Sequence, residues 1–253
     1  KRWDARFAEF KKNKILRSVT WDSEYPHYVG VPGMNAIPKY LAIGLNVKLN
    51  VTVSKIIKNS DHSWELFDDN LNNLGKFDWV ISTAPAIQSA EILPVNFKYH
   101  KDLLDRKMVG CFSLMLGFKK PIPLLWDAAL IRNADISWIS INSSKPDRGN
   151  SFSMLINSTN AWAENHLSDD SQSVISHLHK EITRIIGHDT GNADHVCLKA
   201  WHYANISKQA QSDLLIDYDN KLAACGDWIT QGRIESAFEA GLMIAKEFKR
   251  IVN

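Results

Sequence analysis

The clearest periodic pattern in the chain predicts a helix over residues 171–186. Asp169 or Asp170 can cap its start and Gly187 can end it, as expected for side-chain N-caps and a left-handed C-terminal glycine. Apolar residues recur along it at helical spacing; they are Val174, Ile175, Leu178, Ile182, Ile185 and Ile186.

Two further helices are predicted at the ends of the chain. From about Arg233, an almost unbroken apolar face predicts a closing helix; its members are Ile234, Ala237, Phe238, Gly241, Leu242, Ala245 and Phe248. At the other end, Trp3, Phe7 and Phe10 recur at i, i+4 and i+7, which predicts a basic amphipathic helix over 1–17. Such a helix can lie on a membrane, but a core-facing stripe under a solvated face is the favoured interpretation.

Short apolar runs separated by turn residues predict strands. After an extended stretch and a short helix over 28–41, the strands are expected at 46–53, 63–67, 79–83, 110–118, 128–132, 136–142, 151–158, 196–203 and 221–227. The turn-rich residues 68–75 predict that strands 63–67 and 79–83 form a hairpin. The serial strands in the middle of the chain indicate an antiparallel sheet.

Composition removes several classes of function. The 253 residues are 45% hydrophobic and 23% charged, which is ordinary for a globular protein, and the net charge of +2 gives no basic field for nucleic acid. The three cysteines are far apart, which argues against a zinc ribbon or a disulfide framework and favours a reducing, cytoplasmic location. Apolar runs are too short to cross a bilayer, so no membrane partner is expected.

The sequence contains no motif that indicates a hydrolase or a metal site. The sequence has no GxSxG, HExxH or Walker A pattern. His177 and His179 are two apart on a predicted helix and do not face each other, so no metal site is expected.

The strongest local signal is the junction from Cys225 to Ala237, where a buried-type strand ends in Gly-Asp and a helix follows. Gly226 can let a ligand approach the backbone, and the Asp227 carboxylate can accept hydrogen bonds from sugar-like hydroxyls. Free N–H groups at the helix start can hold negative charge. The equally weighted alternative is an N-capping Asp in an ordinary strand–loop–helix joint.

This junction resembles the C-terminal flavin-binding motif of FAD-dependent amine-oxidase-type flavoproteins, and more narrowly of the renalase-like group. The similarity lies in Gly226-Asp227-Trp228 followed by Gly-Arg-Ile-Glu-Ser-Ala over 232–237. Segments 28–38 (YVGVPGMNAIP), 78–85 (DWVISTAP), 143–149 (SSKPDRG) and 161–162 (AW) are similar to others of the group in the same order.

The resemblance implies an α/β (α+β) fold with two interleaved parts. Residues 1–85 and 213–253 would be a remnant of the FAD-binding domain, of the NAD(P)-binding Rossmann-like type, and residues 86–212 a mainly antiparallel-sheet substrate domain. It also implies FAD as the cofactor. Asp227 would then bind the ribitol chain, and the N–H groups around Arg233, Ile234 and Glu235 would face the flavin N1–C2=O edge.

Other site residues follow from the same resemblance. Val53 would offer its backbone to the adenine, and Thr83, Ala84 and Pro85 would line the cofactor. The candidates for pocket walls are Trp201, His202, Tyr203 and Trp228, each equally well explained as a core aromatic. The group carries a basic residue before its Trp-x-Tyr motif, where this sequence has Ala200.

One element of the family pattern is missing. The sequence contains no GxGxxG turn to hold the pyrophosphate. We therefore expect a chain truncated at its N-terminal side that binds FAD poorly by itself, with apolar surface exposed where the missing unit would pack and a tendency to form homo-oligomers there. The implied function is an oxidase that takes hydride from a small molecule, such as a dihydronicotinamide isomer or an amine, and passes electrons to dioxygen. A flavin-free binding module and a polyamine or porphyrinogen-type oxidase are the alternatives.

Overall fold

The computed structural model describes residues 1–11, 14–20, 27–207, 214–230 and 232–252. Its strands are β1 (Arg6–Lys11), β2 (Lys14–Thr20), β3 (Val53–Lys58), β4 (Trp64–Asp68), β5 (Asn73–Phe77), β6 (Val80–Ser82), β7 (Met108–Phe118), β8 (Ala128–Arg132), β9 (Ile136–Ile141), β10 (Phe152–Ser158), β11 (His195–Ile206), β12 (Leu215–Asp217) and β13 (Leu222–Ala224). Its α-helices are α1 (Ala36–Leu41), α2 (Ala86–Ile92), α3 (His100–Leu104), α4 (Asn160–His166), α5 (Ser171–Ile186) and α6 (Ile234–Val252).

The chain divides into two compact units that each combine two segments. Unit 1 comprises Lys1–Val47 with Gly110–His202, and unit 2 comprises Lys48–Val109 with Tyr203–Asn253. This division places the first 47 residues with the middle of the chain, whereas the boundaries predicted from the sequence place them with the cofactor-binding part. The boundaries drawn from the sequence, one of which falls at residue 213 outside the described residues, remain a prediction.

Unit 1 is built on a mainly antiparallel sheet with the strand order β11-β7-β10-β9-β8-β1-β2. The pairs β7–β10, β10–β9, β9–β8 and β1–β2 are antiparallel, and β1 joins β8 in parallel. Helix α5 buries its predicted stripe in the main core of this unit, with Val174, Leu178, Ile182 and Ile185 all buried. The Asp170 carboxylate caps α5 through the N–H groups of Gln172 and Ser173, and Gly187 ends it at φ 71°. The predicted antiparallel sheet and this helix are confirmed.

The helix predicted over 1–17 is wrong, since β1 and β2 occupy this stretch; residues 12–13 lie outside the described part. In β1, Phe7 belongs to one buried cluster, which also contains Trp3 and Ala5 from just before the strand, while Ala8 and Phe10 belong to another. Alternate side chains of a strand point to opposite faces, and here both faces are covered. A strand buried on both faces carries no polar alternation, so Trp3, Phe7 and Phe10 matched helical spacing by coincidence.

Unit 2 contains two three-stranded sheets, with orders β12-β13-β6 and β3-β4-β5. The predicted hairpin between 63–67 and 79–83 is wrong: β4 pairs with β5, and β6 pairs in parallel with β13. The strand predicted over 46–53 is also displaced, because β3 begins at Val53 and Val47 and Leu49 are exposed, by 52% and 77%. The core of this unit contains Trp64, Leu103, Leu222 and Trp228 among its buried members.

Helix α6 carries apolar residues on two faces. Ser236, Ala240 and Ile244 form the buried stripe. The face predicted from the sequence is largely exposed instead, with Ile234 at 65%, Phe238 at 50% and Leu242 at 45%. The sequence therefore identified the helix correctly but not the side of it that this chain buries.

Among the residues that the structure describes, no helix combines the length and the apolar character needed to traverse a lipid bilayer.

Candidate functional site

The two predicted cofactor segments meet at one edge of a sheet. Strands β6 and β13 run in parallel, with Ser82 opposite Ala224, and the Cys225 N–H donates to the Ser82 carbonyl over 3.0 Å. Because neighbouring parallel strands end at the same edge, residues 83–85 and 226–228 follow from adjacent strand ends. Ligands of open α/β sheets bind at the carboxyl ends of parallel strands. The structure thus brings these two parts of the candidate site together from distant parts of the sequence.

Trp228 fixes the two strand ends to each other. Its side chain is buried, and the indole Nε1–H donates to the Ala84 carbonyl oxygen over 3.0 Å. The same oxygen accepts a hydrogen bond from the Ser89 hydroxyl, also at 3.0 Å, and Ser89 Oγ lies 2.8 Å from Ser82 Oγ. Trp228 is therefore an anchor of the core at the edge of the site, and its indole N–H already has an acceptor inside the protein.

The lack of a side chain at Gly226 makes room for the Trp228 ring. A Cβ built on Gly226 would lie 2.3 Å from Trp228 Nε1 and 2.7 Å from Cδ1. The backbone at Gly226 is extended, with φ 172°, so no left-handed conformation demands glycine. The requirement is space for the indole ring. The ligand access predicted at Gly226 from the sequence stays a prediction.

Asp227 opens a 3₁₀ helix over Asp227–Ile229. Its backbone carbonyl accepts the N–H of Thr230 at 3.3 Å and of Gly232 at 3.0 Å, which folds the loop back before α6 begins at Ile234. Burial raises the pKa of the Asp227 carboxyl above its usual range, opposed by hydrogen bonds from backbone N–H groups including that of Trp228. Since α6 starts well after Asp227, the structure does not support the alternative in which this residue caps that helix.

Thr230 is not among the site residues predicted from the sequence. Among the described residues, its Oγ1 is buried without a hydrogen-bond partner. A buried polar atom without a hydrogen-bond partner lowers the stability of the fold, so a ligand or a water molecule is expected to bond to it. Gln231, which follows it in the motif, lies outside the described residues. The only sequence signal for Thr230 was its place in the loop between Trp228 and Gly232.

The residues that open α6 are exposed. Arg233, Ile234 and Glu235 all present their side chains to solvent, and Glu235 lies in the first turn. Gly232, at φ 67°, occupies the left-handed region just before them, and a Cβ there would lie 3.1 Å from Ile206. The first turn of any α-helix leaves backbone N–H groups without partners in the helix. The predicted anion-facing N–H groups are therefore compatible with this position.

The remaining predicted site residues are dispersed. Val53 opens β3 and pairs with Asp68, in a different sheet from β6 and β13. Trp201 is 49% exposed, and its Nε1 donates to Ser113 Oγ at 3.1 Å. His202 is its neighbour in β11 and points to the opposite face, because successive strand side chains alternate. Tyr203 is partly buried, and by the same alternation it returns to the Trp201 face of β11, so His202 faces away from the other two.

The polar groups at the strand ends fit the ribityl part of a flavin. The Asp227 carboxyl has a pKa raised by burial, and the Thr230 hydroxyl has no partner among the described residues. Hydroxyls of a sugar alcohol would donate to the first and bond with the second. Within the described part of the chain, no group of three or more His, Cys, Asp or Glu side chains could hold a metal ion.

No model of a known protein family matches the sequence. Several solved structures, however, are similar to the structure of this chain. A protein assigned as a protoporphyrinogen oxidase from Exiguobacterium sp. 255-15 matches with a TM-score of 0.63 at 13% identity, over 85% of this chain and 50% of that one. Cyclohexylamine oxidase from Brevibacterium oxydans IH-35A matches with a TM-score of 0.62 at 11% identity, over 86% of this chain and 53% of that one.

A putrescine oxidase variant, from work on redesigned cofactor binding, gives a TM-score of 0.62 at 11% identity over 84% of this chain and 51% of that one. The chain thus spans about half the length of the structures that it matches. At these identities the likeness concerns the fold. The predicted fold class is confirmed: the chain has the mixed α/β fold of these amine and protoporphyrinogen oxidases, over about half of their length.

Proposed function

We propose that the chain is part of an FAD-dependent oxidoreductase of the amine-oxidase type, closest in character to the renalase-like group. One observation carries the proposal. The parallel ends of β6 and β13 bring residues 83–85 beside a Gly-Asp-Trp loop whose Asp227 carboxyl is partly desolvated. A flavin-free binding module derived from such an enzyme is less well supported, because it gives no reason for these polar groups to be buried at a strand edge.

The residues of unit 2 divide the binding tasks between them. Asp227 and Thr230 would hold ribityl hydroxyls, and the N–H groups around Arg233 to Glu235 would stabilise negative charge on the flavin ring. Thr83, Ala84 and Pro85 would form the wall beside them, and Trp228 keeps that wall in place through Ala84. When bound, the flavin supplies the redox chemistry, accepting hydride from the substrate and passing electrons to dioxygen.

The pyrophosphate would need an anchor that these residues do not provide. A strand–GxGxxG–helix unit takes about 30 residues, and the sequence has no such turn. Two features support the packing of a further strand and helix on unit 2. Among the described strands, β6 has a neighbour on one side only, and α6 exposes Phe238 and Leu242. We propose that the native polypeptide is longer at its N-terminal side, and that this chain self-associates through the same surface without it.

The substrate proposal rests on the resemblance of the motifs. A dihydronicotinamide isomer is the first choice and a small amine the second, with Trp201, His202 and Tyr203 as candidates for contacts. Both substrate types are small molecules that can give up hydride to a flavin. We propose a cytoplasmic location, which the three cysteines without disulfide bonds support.

The test compares this 253-residue chain with the product of the complete gene, which we call the extended protein. We expect a stoichiometric flavin spectrum and oxidase activity on dihydronicotinamide isomers from the extended protein, and little bound FAD in the chain itself. A stoichiometric flavin band in the 253-residue chain would overturn the truncation. An extended protein that folds, melts cooperatively and still binds no FAD would overturn the oxidoreductase proposal.

A further inference from the structure

Unit 1 contains a cavity that the proposed function does not use. Its volume is about 380 Å³, and its walls come from β1, from residues 119–127 and from residues 141–152. Every lining residue belongs to unit 1, whereas the candidate cofactor residues belong to unit 2. We call it the loop cavity, since the loop between β9 and β10 forms much of it. Cavities that hold small organic ligands start at about 300 Å³.

The positively charged side chains around the loop cavity outnumber the negatively charged one and are more exposed to solvent. Arg6, Lys119 and Asp127 line it, which leaves a formal charge of +1. Asp127 is largely covered, with 13% of its side chain exposed, and Arg6 holds both of its carboxylate oxygens, at 2.9 and 3.1 Å. The side chains of Arg6 and Lys119 are 53% and 86% exposed. Positive charge is therefore what a molecule entering this cavity meets.

Asp127 stays ionised, so the Arg6 pair is stable near neutral pH. Burial would raise the pKa of this carboxyl, but the hydrogen bonds and the charge of Arg6 outweigh it and lower the pKa overall. Lys119 has a looser partner: its Nζ lies 3.3 Å from Asp194, which does not line the cavity. Lys119 is thus the cation that can turn toward a ligand without breaking a tight pair.

The rest of the wall offers an apolar surface and short polar side chains. Leu124, Ile141 and Phe152 supply the apolar part, and Ser143, Ser144 and Asn150 the polar part. The Ser144 hydroxyl is already engaged, accepting from Trp3 Nε1 at 3.2 Å and donating to the Ile141 carbonyl at 2.8 Å. Ser143 Oγ accepts the Ser153 N–H at 3.3 Å and retains its own proton to donate.

From this combination we infer that the loop cavity binds a small organic carboxylate, a molecule with one negative charge and a compact apolar body. The lining itself carries +1, and Lys119 would exchange its 3.3 Å contact with Asp194 for the single negative charge of the ligand. The apolar body would cover Leu124 and Phe152, while Lys119 and the Ser143 hydroxyl would meet the carboxylate. Most ligand sites share this pattern of an apolar wall with a few placed polar groups.

The probe is benzoate, with benzamidine as a partner of the same shape and opposite charge. Binding is followed by amide chemical-shift changes in the 253-residue chain, read at Gly149 and Asn150. We expect benzoate to saturate these shifts with a dissociation constant on the order of 1 mM, as befits so small a ligand. Benzamidine should leave them unchanged. Equal binding of the two probes, or no benzoate binding at all, would overturn the inference.

Three variants locate the site. Lys119→Gln should weaken benzoate binding about three- to fivefold, the effect of losing one exposed charge. Lys120→Gln removes the adjacent exposed lysine, which does not line the cavity, and should change nothing. Gly149→Leu adds a side chain at a lining glycine whose Cβ would meet no atom within 4 Å, so the fold should persist while the probe is displaced. Identical affinities for the two lysine variants, or full binding by Gly149→Leu, would exclude this cavity.

Discussion

The Trp228 indole donates a hydrogen bond to the Ala84 carbonyl over 3.0 Å, and these two residues are 144 positions apart in the sequence. Through this contact the loop after β13 holds the turn after β6. The geometry of the candidate cofactor site therefore depends on one buried tryptophan.

Trp228→Phe tests this link. The phenyl ring keeps most of the apolar contact but cannot donate, and the Ala84 oxygen retains only its bond from Ser89. We expect a loss of about 1 kcal/mol in the free energy of unfolding, the net worth of one hydrogen bond. Urea unfolding followed by far-UV circular dichroism measures it. Trp201→Phe is the control: it also loses an indole hydrogen bond, to Ser113, but at a half-exposed position where water can replace the donor, so it should cost less. Equal losses would contradict the anchoring role of Trp228.

Gly226→Ala should be destabilising for steric reasons alone. The new methyl group would lie 2.3 Å from Trp228 Nε1, so the indole must shift, at a cost of about 1–3 kcal/mol. In a Trp228→Leu background the same substitution should cost under about 0.5 kcal/mol, because the ring has gone. A double-mutant cycle from urea unfolding gives the coupling. Additive effects would show that the glycine is needed for some reason other than the ring.

Asp227→Asn should stabilise the chain at pH 7 and leave it unchanged near pH 3. A carboxyl whose pKa is raised on folding lowers stability once the pH exceeds its unfolded pKa of about 3.9, and has no such effect below it. Because Asp227 is only partly buried, the gain should not exceed about 1 kcal/mol. Thermal unfolding at both pH values measures it, with Asp219→Asn as the control for a lost surface charge.

The same variant of the extended protein should bind FAD about ten- to a hundredfold more weakly, since a charge-assisted hydrogen bond is worth roughly 1.5–3 kcal/mol. If Asp227→Asn lowers the melting temperature at pH 7 while FAD affinity is unchanged, the carboxylate has a structural role and the cofactor assignment fails.

Leu242→Lys should reduce self-association without unfolding the chain. Leu242 lies on the exposed apolar face of α6, so its replacement should change the free energy of unfolding by no more than about 0.5 kcal/mol. Sedimentation velocity should show a smaller species. Ala240→Lys, on the buried stripe two residues away, should unfold unit 2, because a lysine there is both too large and charged. Similar losses of stability in the two variants would show that the chain itself covers the Leu242 face.

The sequence pattern predicted helix α5 well because one face of this helix is polar. Helix α5 has a single buried stripe with a cap at each end, and its bounds follow from these signals. Strand β1 was misread because both of its faces are buried, and β5 was missed because Asn73 and Gly75 have weak strand preference. The strand predicted over 46–53 was wrong for most of its length, and Val47, Leu49 and Val51 are exposed there.

Only part of the candidate site could be predicted from the sequence. The local order from Gly226 to Glu235 drew attention to one loop, and the resemblance added residues 83–85. No local pattern contains the parallel pairing of β6 with β13, which joins residues more than a hundred positions apart. Nor could a single sequence show that the Thr230 hydroxyl is buried, or that the space beside Gly226 belongs to an indole ring.

The close packing of the Trp228 ring against Gly226 also restricts which substitutions related chains can accept at these two positions. Any side chain at position 226 collides with a large ring at 228, so the two positions are free to change only together or in a fixed order, the ring first. Among homologues, tryptophan at 228 should be accompanied by glycine at 226, and alanine or serine at 226 should occur only with a smaller residue two positions later. The evolutionary history of this loop is thus constrained by the volume of one aromatic side chain.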